Sequence, residues 1–493
     1  MEKSLKSRGT SVLLCGALIV GVMTGCTSQA TSTKNSTSKS NPKTMEKVTR
    51  VSSENQLKKL KEKYDKNPND KALALKYAQN LFELGDFTEL QEVLKPLLNG
   101  DKPLPDAIYL SAQIKYMNGN YTQAEKLYNT LVEKYPDKFK EKAEAGLSMT
   151  YYQTNQYQKA KQLSIGQENT SSLLNNMMKD FGDRQPNQIE WNGKNESVIP
   201  FLTTDPLPVV PVEINGKRMN AFIDTGAPTF VLDKKFAKEL GIKPVSNADG
   251  NFAGGGTSEI GFSRADSFKV GDINMKNIPV MIGELGGLAE LFKSTGLDVR
   301  AVLGTNVLKQ FVPTMDYPNG ELVLRPRSEV VRNEIVITDE DIKEGKGEII
   351  QQIPFTLSST HYMFGKGSIN NKNNLNFFID SGFNGGKGAG VMLPKQTIDL
   401  LGITMPNLRP ATTEEGGMTG NDFEVAQFDI SSYGLGNVQQ KKGIGHFATG
   451  QEGMYQAHGF FQDALISHNY LKNYKWTINF DSMTMTFNEK KNI

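Results

Sequence analysis

The stretch NAFIDTGAP, residues 220–228, decides how the second half of the 493-residue chain is interpreted. It places Asp224 at the end of an apolar run and follows it with a small hydroxyl residue and a glycine. A triplet of this kind is, by itself, typical of an ordinary turn. A second copy, IDSG at residues 379–382, puts Asp380 156 residues after Asp224. The motif therefore has to be interpreted together with its repeat.

The chain repeats itself once from about residue 190 onward. The separation between matched residues grows only from 154 to 163 along the chain, which indicates one duplicated unit with small insertions. Short β-branched runs divided by glycines and turns predict that both copies are β-rich. The matched pairs include Ile199 with Ile353, Ile223 with Ile379, Leu240 with Leu401, and Asn306 with Asn469.

A third motif, AVLGTN at residues 301–306, stands about 80 residues after Asp224. The combination resembles the aspartic protease family, in particular its retropepsin-like members, and the two copies resemble a bilobal single-chain form. The resemblance implies an all-β bilobal fold, with lobe 1 at residues 190–327 and lobe 2 at 328–493. The catalytic pair would be Asp224 and Asp380. The residues that support the two loops would be Thr225, Gly226, Ser381 and Gly382.

Two facing carboxylates provide the chemistry that this pattern requires. They cannot both ionise cheaply, so they share one proton and titrate as a coupled pair. The ionised member takes a proton from water, and the protonated member donates to the scissile carbonyl oxygen. Glycine-rich tips at Gly254, Gly255 and Gly256, and at residues 415–418, predict a flap over the cleft; an ordinary flexible hairpin tip explains them equally well. No metal or cofactor is implied.

Lobe 2 departs from the family pattern at three places. Phe383 stands where lobe 1 has Ala227, a glycine-rich insertion follows within residues 384–390, and Ser467 replaces Gly304. These departures leave two alternatives beside a membrane-anchored aspartic endopeptidase. One is a catalytically degenerate protein that binds peptides or serves as a scaffold. The other is an enzyme in which only lobe 1 is active and pairs with a second chain.

Residues 51–180 show helical rather than β periodicity. Phe87, Tyr121 and Tyr157 follow turn-forming residues at intervals of 34 and 36 residues. This segment resembles the tetratricopeptide repeat, a helix-turn-helix unit of 34 residues. Gly119 and Pro136 are placed to end its helices. The aromatic and leucine positions of the repeats are interpreted as packing between helices, and the repeats stay a possible surface for a protein partner.

The N-terminus has the features of an export signal. Basic residues precede a short apolar run, Val12 to Met23, which ends in small residues before Cys26. The pattern resembles the lipobox of bacterial lipoproteins. It implies a signal peptide at residues 1–25, cleavage before Cys26, acylation of its thiol, and an extracytoplasmic protein anchored by lipid to the bacterial membrane. Residues 26–50 are rich in serine and threonine and predict a flexible tether.

Composition narrows the function further. The 56 basic and 54 acidic side chains give a net charge of +2, so there is no electrostatic reason to expect a nucleic-acid partner. The cysteines are Cys15 and Cys26, which excludes a disulfide-stapled fold or a cysteine metal site in the body of the chain. The four histidines lack the spacing of a zinc site. The resemblance to aspartic proteases implies a peptide or protein as the substrate.

Overall fold

The structure is a computed structural model that describes most of the chain. Cys26, the predicted flap glycines Gly254, Gly255 and Gly256, and residues 415–418 lie outside the described ranges. The described residues are 18–19, 49–99, 102–163, 170–252, 257–327, 349–359, 361–386, 388–411, 423–450 and 458–489.

The first part of the chain is helical, and its turns explain where the helices begin and end. Asp70 and Asn120 accept hydrogen bonds from backbone N–H groups in the first turns of their helices, as N-caps do. Gly85 ends a helix with φ of 71°, in the left-handed region that favours glycine. Pro136 occupies the first turn of another helix. The helices are Arg50–Lys66, Lys71–Leu84, Phe87–Leu98, Pro105–Met117, Tyr121–Lys134, Pro136–Gln153, Tyr157–Ala160 and Thr170–Asp180.

These helices, called the helical region below, pack through one apolar face each. Tyr77, Leu81 and Ala124 are completely buried between them. Small residues let the helices approach closely: a Cβ atom added to Gly146 would overlap the ring of Tyr128. Each buried large apolar side chain contributes about 1.5–3 kcal/mol relative to exposure, so the shared face holds the helices together. No helix within the described ranges is long and apolar enough to cross a membrane.

In the described part of lobe 1, β-strands are accompanied by three short α-helices and one 3₁₀ turn. Lys217–Ile223 lies at its centre, antiparallel to Val209–Ile214 and parallel to Val299–Leu303. The two-residue strand Leu18–Ile19 pairs with the end of Ser246–Phe252. The remaining strands are Gln188–Glu190, Ser197–Pro200, Phe230–Asp233, Thr257–Val270, Ile273–Gly283, Phe311–Asp316 and Glu321–Pro326. The helices are Lys234–Glu239, Gly286–Leu291, Lys293–Thr295 (3₁₀) and Thr305–Leu308.

Lobe 2 repeats this arrangement. Lys372–Ile379 runs parallel to Ala464–Ile466, which also pairs antiparallel with Ala389–Met392, as Val299–Leu303 does with Phe230–Asp233 in lobe 1. The remaining strands are Ile349–Leu357, Met363–Ile369, Arg409–Pro410, Glu424–Leu435, Val438–Ala448, Tyr474–Asn479 and Thr484–Glu489. The helices are Lys395–Leu400 and His468–Leu471.

The two lobes share one sheet. Phe311–Asp316 of lobe 1 pairs antiparallel with Tyr474–Asn479 of lobe 2, and the sheet continues through strands of both lobes on either side. The hydroxyl groups of Thr314 and Thr477 lie 2.8 Å apart across this junction, at buried and equivalent positions. The predicted fold class, a helical region followed by an all-β bilobal fold, is confirmed.

The helical region packs directly against lobe 2. The Arg50 guanidinium pairs with the buried Asp463 carboxylate at 2.6 Å, and the same carboxylate oxygen accepts the backbone N–H of Asn376 at 2.7 Å. The rings of Phe87 and Phe460 meet edge to face with centroids 5.3 Å apart. Charged and apolar contacts together therefore join the helices to the strand that leads into Asp380.

Candidate active site

Both predicted catalytic aspartates stand at the same point of their lobes. Asp224 follows Lys217–Ile223 and Asp380 follows Lys372–Ile379. The Asp224 backbone N–H donates to the Leu303 carbonyl, and that of Asp380 donates to the Ile466 carbonyl, each at 3.1 Å. Both aspartates are at most 1% exposed. The duplication thus places two carboxylates at equivalent, buried strand ends.

The residues after the aspartates cross-link the two loops. The Thr225 hydroxyl donates to the Ile379 carbonyl at 2.9 Å and accepts the Ser381 backbone N–H at 3.0 Å. The Ser381 hydroxyl makes the reciprocal bonds, to the Ile223 carbonyl at 3.1 Å and from the Thr225 N–H at 3.0 Å. All four bonds are buried, so each lobe holds the other's loop in place.

The glycines bring the carboxyl groups together. The Gly226 N–H donates to Asp224 Oδ1 at 2.7 Å, and the Gly382 N–H donates to Asp380 Oδ1 at 2.8 Å. A Cβ atom on Gly226 would lie 2.6 Å from the carboxyl carbon of Asp380, and one on Gly382 would overlap the carboxyl group of Asp224. Each carboxyl group therefore sits over the opposite glycine, where only hydrogen leaves room.

Electrostatics in this site favour a shared proton. Burial raises the pKa of Asp224 well above its usual range, and the Asp380 charge and side-chain hydrogen bonding add to the rise. Burial also raises the pKa of Asp380, to about 6, against hydrogen bonds that lower it. Two buried carboxyl groups this close cannot both ionise cheaply, so the pair keeps one proton at a pH where an exposed aspartate has none.

The structure also shows what the bulky Phe383 does. Its ring lies over the neighbouring turn, and a Cβ atom added to Gly385 would be 2.9 Å from the ring. The centroid of the Phe383 ring lies 6.0 Å from that of His446. The atoms nearest to the Gly226 Cβ position belong to Asp380 instead. Gly385 has a φ of 65°, which the inserted glycine supplies without strain. The insertion therefore accommodates the phenyl ring beside the dyad.

The backbone of lobe 2 leaves room for the side chain of Ser467, whereas the backbone of lobe 1 leaves none at Gly304. A Cβ atom on Gly304 in lobe 1 would lie 2.7 Å from the Ala227 carbonyl oxygen, so no side chain fits there. In lobe 2 the Ser467 N–H donates to the Gly390 carbonyl at 3.0 Å, and its hydroxyl donates to the Ala389 carbonyl at 2.6 Å. The serine is buried and hydrogen-bonded, so the departure does not disturb the loop that carries Asp380.

Aromatic side chains line the strands that lead into the site. Phe222 and Phe378 stand two residues before the aspartates, buried at equivalent positions. The Phe222 ring lies 6.2 Å from that of Phe292, and the Phe378 ring lies 5.1 Å from that of Tyr362. Among the described residues, no group of three or more His, Cys, Asp or Glu side chains is arranged to hold a metal ion.

Two buried polar residues that join separate parts of the chain were not identified from the sequence. Lys309 is buried against Gln153 of the helical region, and His468 is buried between the lobes against Tyr317. The sequence gives one usable signal: Lys309 and Lys472 are equivalent in the duplication, as are Thr305 and His468. What each of them contacts could not be read from that equivalence.

Comparison with known proteins finds a family match within lobe 1. Residues 210–307 match the family model described as aspartyl protease. A solved structure that the chain resembles is a retropepsin-like aspartic protease from Rickettsia conorii, at 19% identity and a TM-score of 0.21, covering 28% of this chain and 93% of that one. No curated protein matches the chain in sequence. The match confirms the predicted resemblance of lobe 1 to aspartic proteases, whereas the tetratricopeptide and lipoprotein resemblances stay predictions.

Proposed function

We propose that the protein is an aspartic endopeptidase that hydrolyses peptide bonds with a water molecule activated by Asp224 and Asp380. One observation carries the proposal: the carboxyl groups sit over each other's loop glycine, and the loops are cross-linked by reciprocal bonds of Thr225 and Ser381. The ionised carboxylate accepts a proton from water as it attacks the peptide carbonyl. The protonated carboxyl group donates to the carbonyl oxygen. As the C–N bond of the resulting tetrahedral intermediate breaks, the leaving nitrogen takes the proton that the other carboxylate accepted from water.

The contacts of the described residues disfavour both alternatives, a binding protein without activity and an active site formed between two chains. A binding protein without activity was suggested by Phe383 and Ser467, yet the first is turned toward Gly385 and the second is hydrogen-bonded in place. An active site formed between two chains would require lobe 1 to pair with a copy of itself. Lobe 2 already occupies that position, because Thr314 and Thr477 pair at the lobe junction within one chain.

The test is cleavage of a diverse peptide library by the purified full-length chain, read by mass spectrometry from pH 4 to pH 8. Asp224→Asn and Asp380→Asn each keep the shape of the site but remove a carboxyl group, so we expect cleavage to be abolished in both. Asp316→Asn is the matched control, since it makes the same change at an equally buried position outside the dyad. Products that persist in both dyad variants would refute the proposal.

We also propose that Cys26 anchors the protein to the outer face of the bacterial membrane. Each methylene group of an acyl chain that enters the bilayer stabilises membrane attachment by about 0.8 kcal/mol. Several acyl chains on an N-terminal cysteine are therefore enough for stable attachment. In cells, a fatty-acid analogue should label the wild-type protein but not Cys26→Ala, and the variant should leave the membrane fraction. Equal labelling of both would overturn the proposed anchor without affecting the proposed chemistry.

A further inference from the structure

Each catalytic loop rests on a short helix. The helix is Thr305–Leu308 in lobe 1 and His468–Leu471 in lobe 2. The first backbone N–H of each helix donates to the residue after the loop glycine, at 2.8 Å to the Ala227 carbonyl and at 2.9 Å to the Phe383 carbonyl. These carbonyl groups belong to the third residue after each catalytic aspartate. A shift of either helix is therefore transmitted to the carboxyl group of its own lobe.

The helix of lobe 2 is anchored on lobe 1. The His468 Nε2 atom donates to the Thr204 carbonyl at 2.7 Å, and its Nδ1 atom lies 3.3 Å from the Tyr317 hydroxyl. Directly after the helix, the Lys472 ammonium pairs with the Asp205 carboxylate at 2.7 Å. Lobe 1 thus supplies three partners that fix this helix in position.

The helix of lobe 1 is anchored on the helical region instead. Lys309, the equivalent of Lys472, is 4% exposed, and its ammonium donates to the Gln153 backbone carbonyl at 3.0 Å and to the Gln153 side-chain oxygen. Gln153 is the last residue of the helix Pro136–Gln153. The carbonyl groups of a last helical turn lack partners within the helix and carry partial negative charge, so they favour a cation.

This ammonium depends on Gln153 alone for hydrogen-bond acceptors within the described part of the chain. No carboxylate there lies within ion-pair distance of it, although the ring of Tyr152 lies 5.4 Å away. Burial lowers the pKa of Lys309 well below its usual range, and the charge of Arg327 lowers it further. Arg327 also fixes the backbone, since it donates to the Lys309 carbonyl at 2.7 Å. Losing the Gln153 acceptors would leave a buried amino group without a hydrogen-bond acceptor, which is costly.

We infer that Lys309 and Gln153 are positioning residues for the catalytic loop of lobe 1. The helical region is then a third structural component of the active site, in addition to any partner that it binds. The two loops are held from different sides: lobe 1 steadies the loop of Asp380, and the helical region steadies the loop of Asp224. The inference rests on the proposed function, because it takes these two aspartates as the reacting groups.

The first test is kinetic and uses the full-length chain. Lys309→Met keeps the apolar stem and removes the ammonium, so we expect kcat to fall about tenfold or more with KM changed less than about twofold, because a small misplacement of reacting groups lowers rate strongly. Gln153→Ala, which keeps the backbone carbonyl, should lower kcat less, and Lys309→Arg should restore most of it. Lys138→Met, which removes an exposed ammonium from the same helix as Gln153, is the matched control.

The second test does not depend on activity. Amide hydrogen exchange in Lys309→Met should accelerate about tenfold or more at Thr305, whose N–H rests on Ala227, and stay unchanged at His468. Unchanged kcat together with unchanged exchange at Thr305 would overturn the inference and leave the proposed function standing. Absence of dyad-dependent cleavage in the wild type would overturn the proposed function. The exchange at Thr305 would then show by itself whether the contact between Lys309 and Gln153 holds the helix that begins at Thr305. Where Lys309→Met fails to fold, Gln153→Ala provides the same two measurements.

Discussion

Gly226→Ala tests the geometry of the dyad with the smallest possible change. The new Cβ atom would lie 2.6 Å from both the carboxyl carbon and Oδ1 of Asp380, and 2.8 Å from its Oδ2. The variant keeps the backbone N–H that donates to Asp224 Oδ1 at 2.7 Å. The φ of Gly226 is outside the left-handed region, so alanine fits the backbone. Any loss of activity therefore comes from the collision with the opposite carboxyl group.

The size of the effect follows from these distances. Ordinary carbon contacts begin at about 3.5 Å, so the Asp380 carboxyl group has to retreat by about 0.9 Å. It cannot retreat into free space, because Asp380 is completely buried. A misplacement of about 1 Å in a reacting group costs about 100-fold in rate, which is about 2.7 kcal/mol of transition-state stabilisation. We therefore expect kcat/KM to fall about 100-fold.

The assay is cleavage of a fluorogenic peptide chosen from the products of the wild-type chain. Gly286→Ala is the matched control, because a Cβ atom there has no heavy atom within 4 Å. Thermal unfolding of both variants separates a damaged site from a damaged fold. If Gly226→Ala keeps kcat/KM within about threefold of the wild type, the carboxyl groups do not meet over the loop glycines as described.

The remaining predictions concern charge. Between about pH 6 and the higher pKa of Asp224 the pair holds one proton, so kcat/KM should rise as pH increases through about 6; an optimum near the ordinary aspartate value of about 3.9 would contradict this. Because the pKa of Asp380 is raised on folding, the native state binds more protons than the unfolded state between about pH 4 and 6, and stability falls as pH rises through that window. Asp380→Asn removes this pH-dependent loss of stability. The melting temperature of the variant should therefore exceed that of the wild type by more at pH 7 than at pH 4. Arg50→Met leaves the buried Asp463 carboxylate unpaired and should cost about 3–5 kcal/mol in urea unfolding at pH 7, most of it recovered in Arg50→Met/Asp463→Asn.

The duplication made much of the site predictable. Matched separations identify Asp380 as the equivalent of Asp224 and Ser381 as the equivalent of Thr225. Equivalent residues of two repeated lobes lie at equivalent strand ends, so the sequence alone indicated that these side chains should face each other. The helical segment could also be predicted from the sequence, because apolar side chains such as Tyr77 and Leu81 recur at helical spacing.

The effect of Phe383 could not be predicted from residue size. Whether a bulky ring blocks a site or folds away depends on the backbone that follows it. Here the backbone turns at Gly385, with a φ of 65°, and the ring follows that turn toward His446. A glycine-rich insertion predicts freedom of the backbone but not the direction in which the chain turns.

Contacts between the helical region and the lobes were equally hidden. Lys309 meets Gln153 across 156 residues of sequence, and Arg50 meets Asp463 across 413. Lysine, arginine and glutamine are ordinary surface residues, and no spacing rule links positions that far apart. Only folding of the whole chain shows that these polar side chains are buried partners.

A single-chain duplication frees the two halves of the cleft to diverge. A dimer of identical lobes has to present the same side chain on both sides of its axis, so it cannot tell the two directions of a bound polypeptide apart. In this chain Ala227 and Phe383 stand at equivalent places, one small and one aromatic, and each can mutate without the other. The surroundings of the two catalytic loops can therefore differ within one molecule, which two identical lobes cannot achieve.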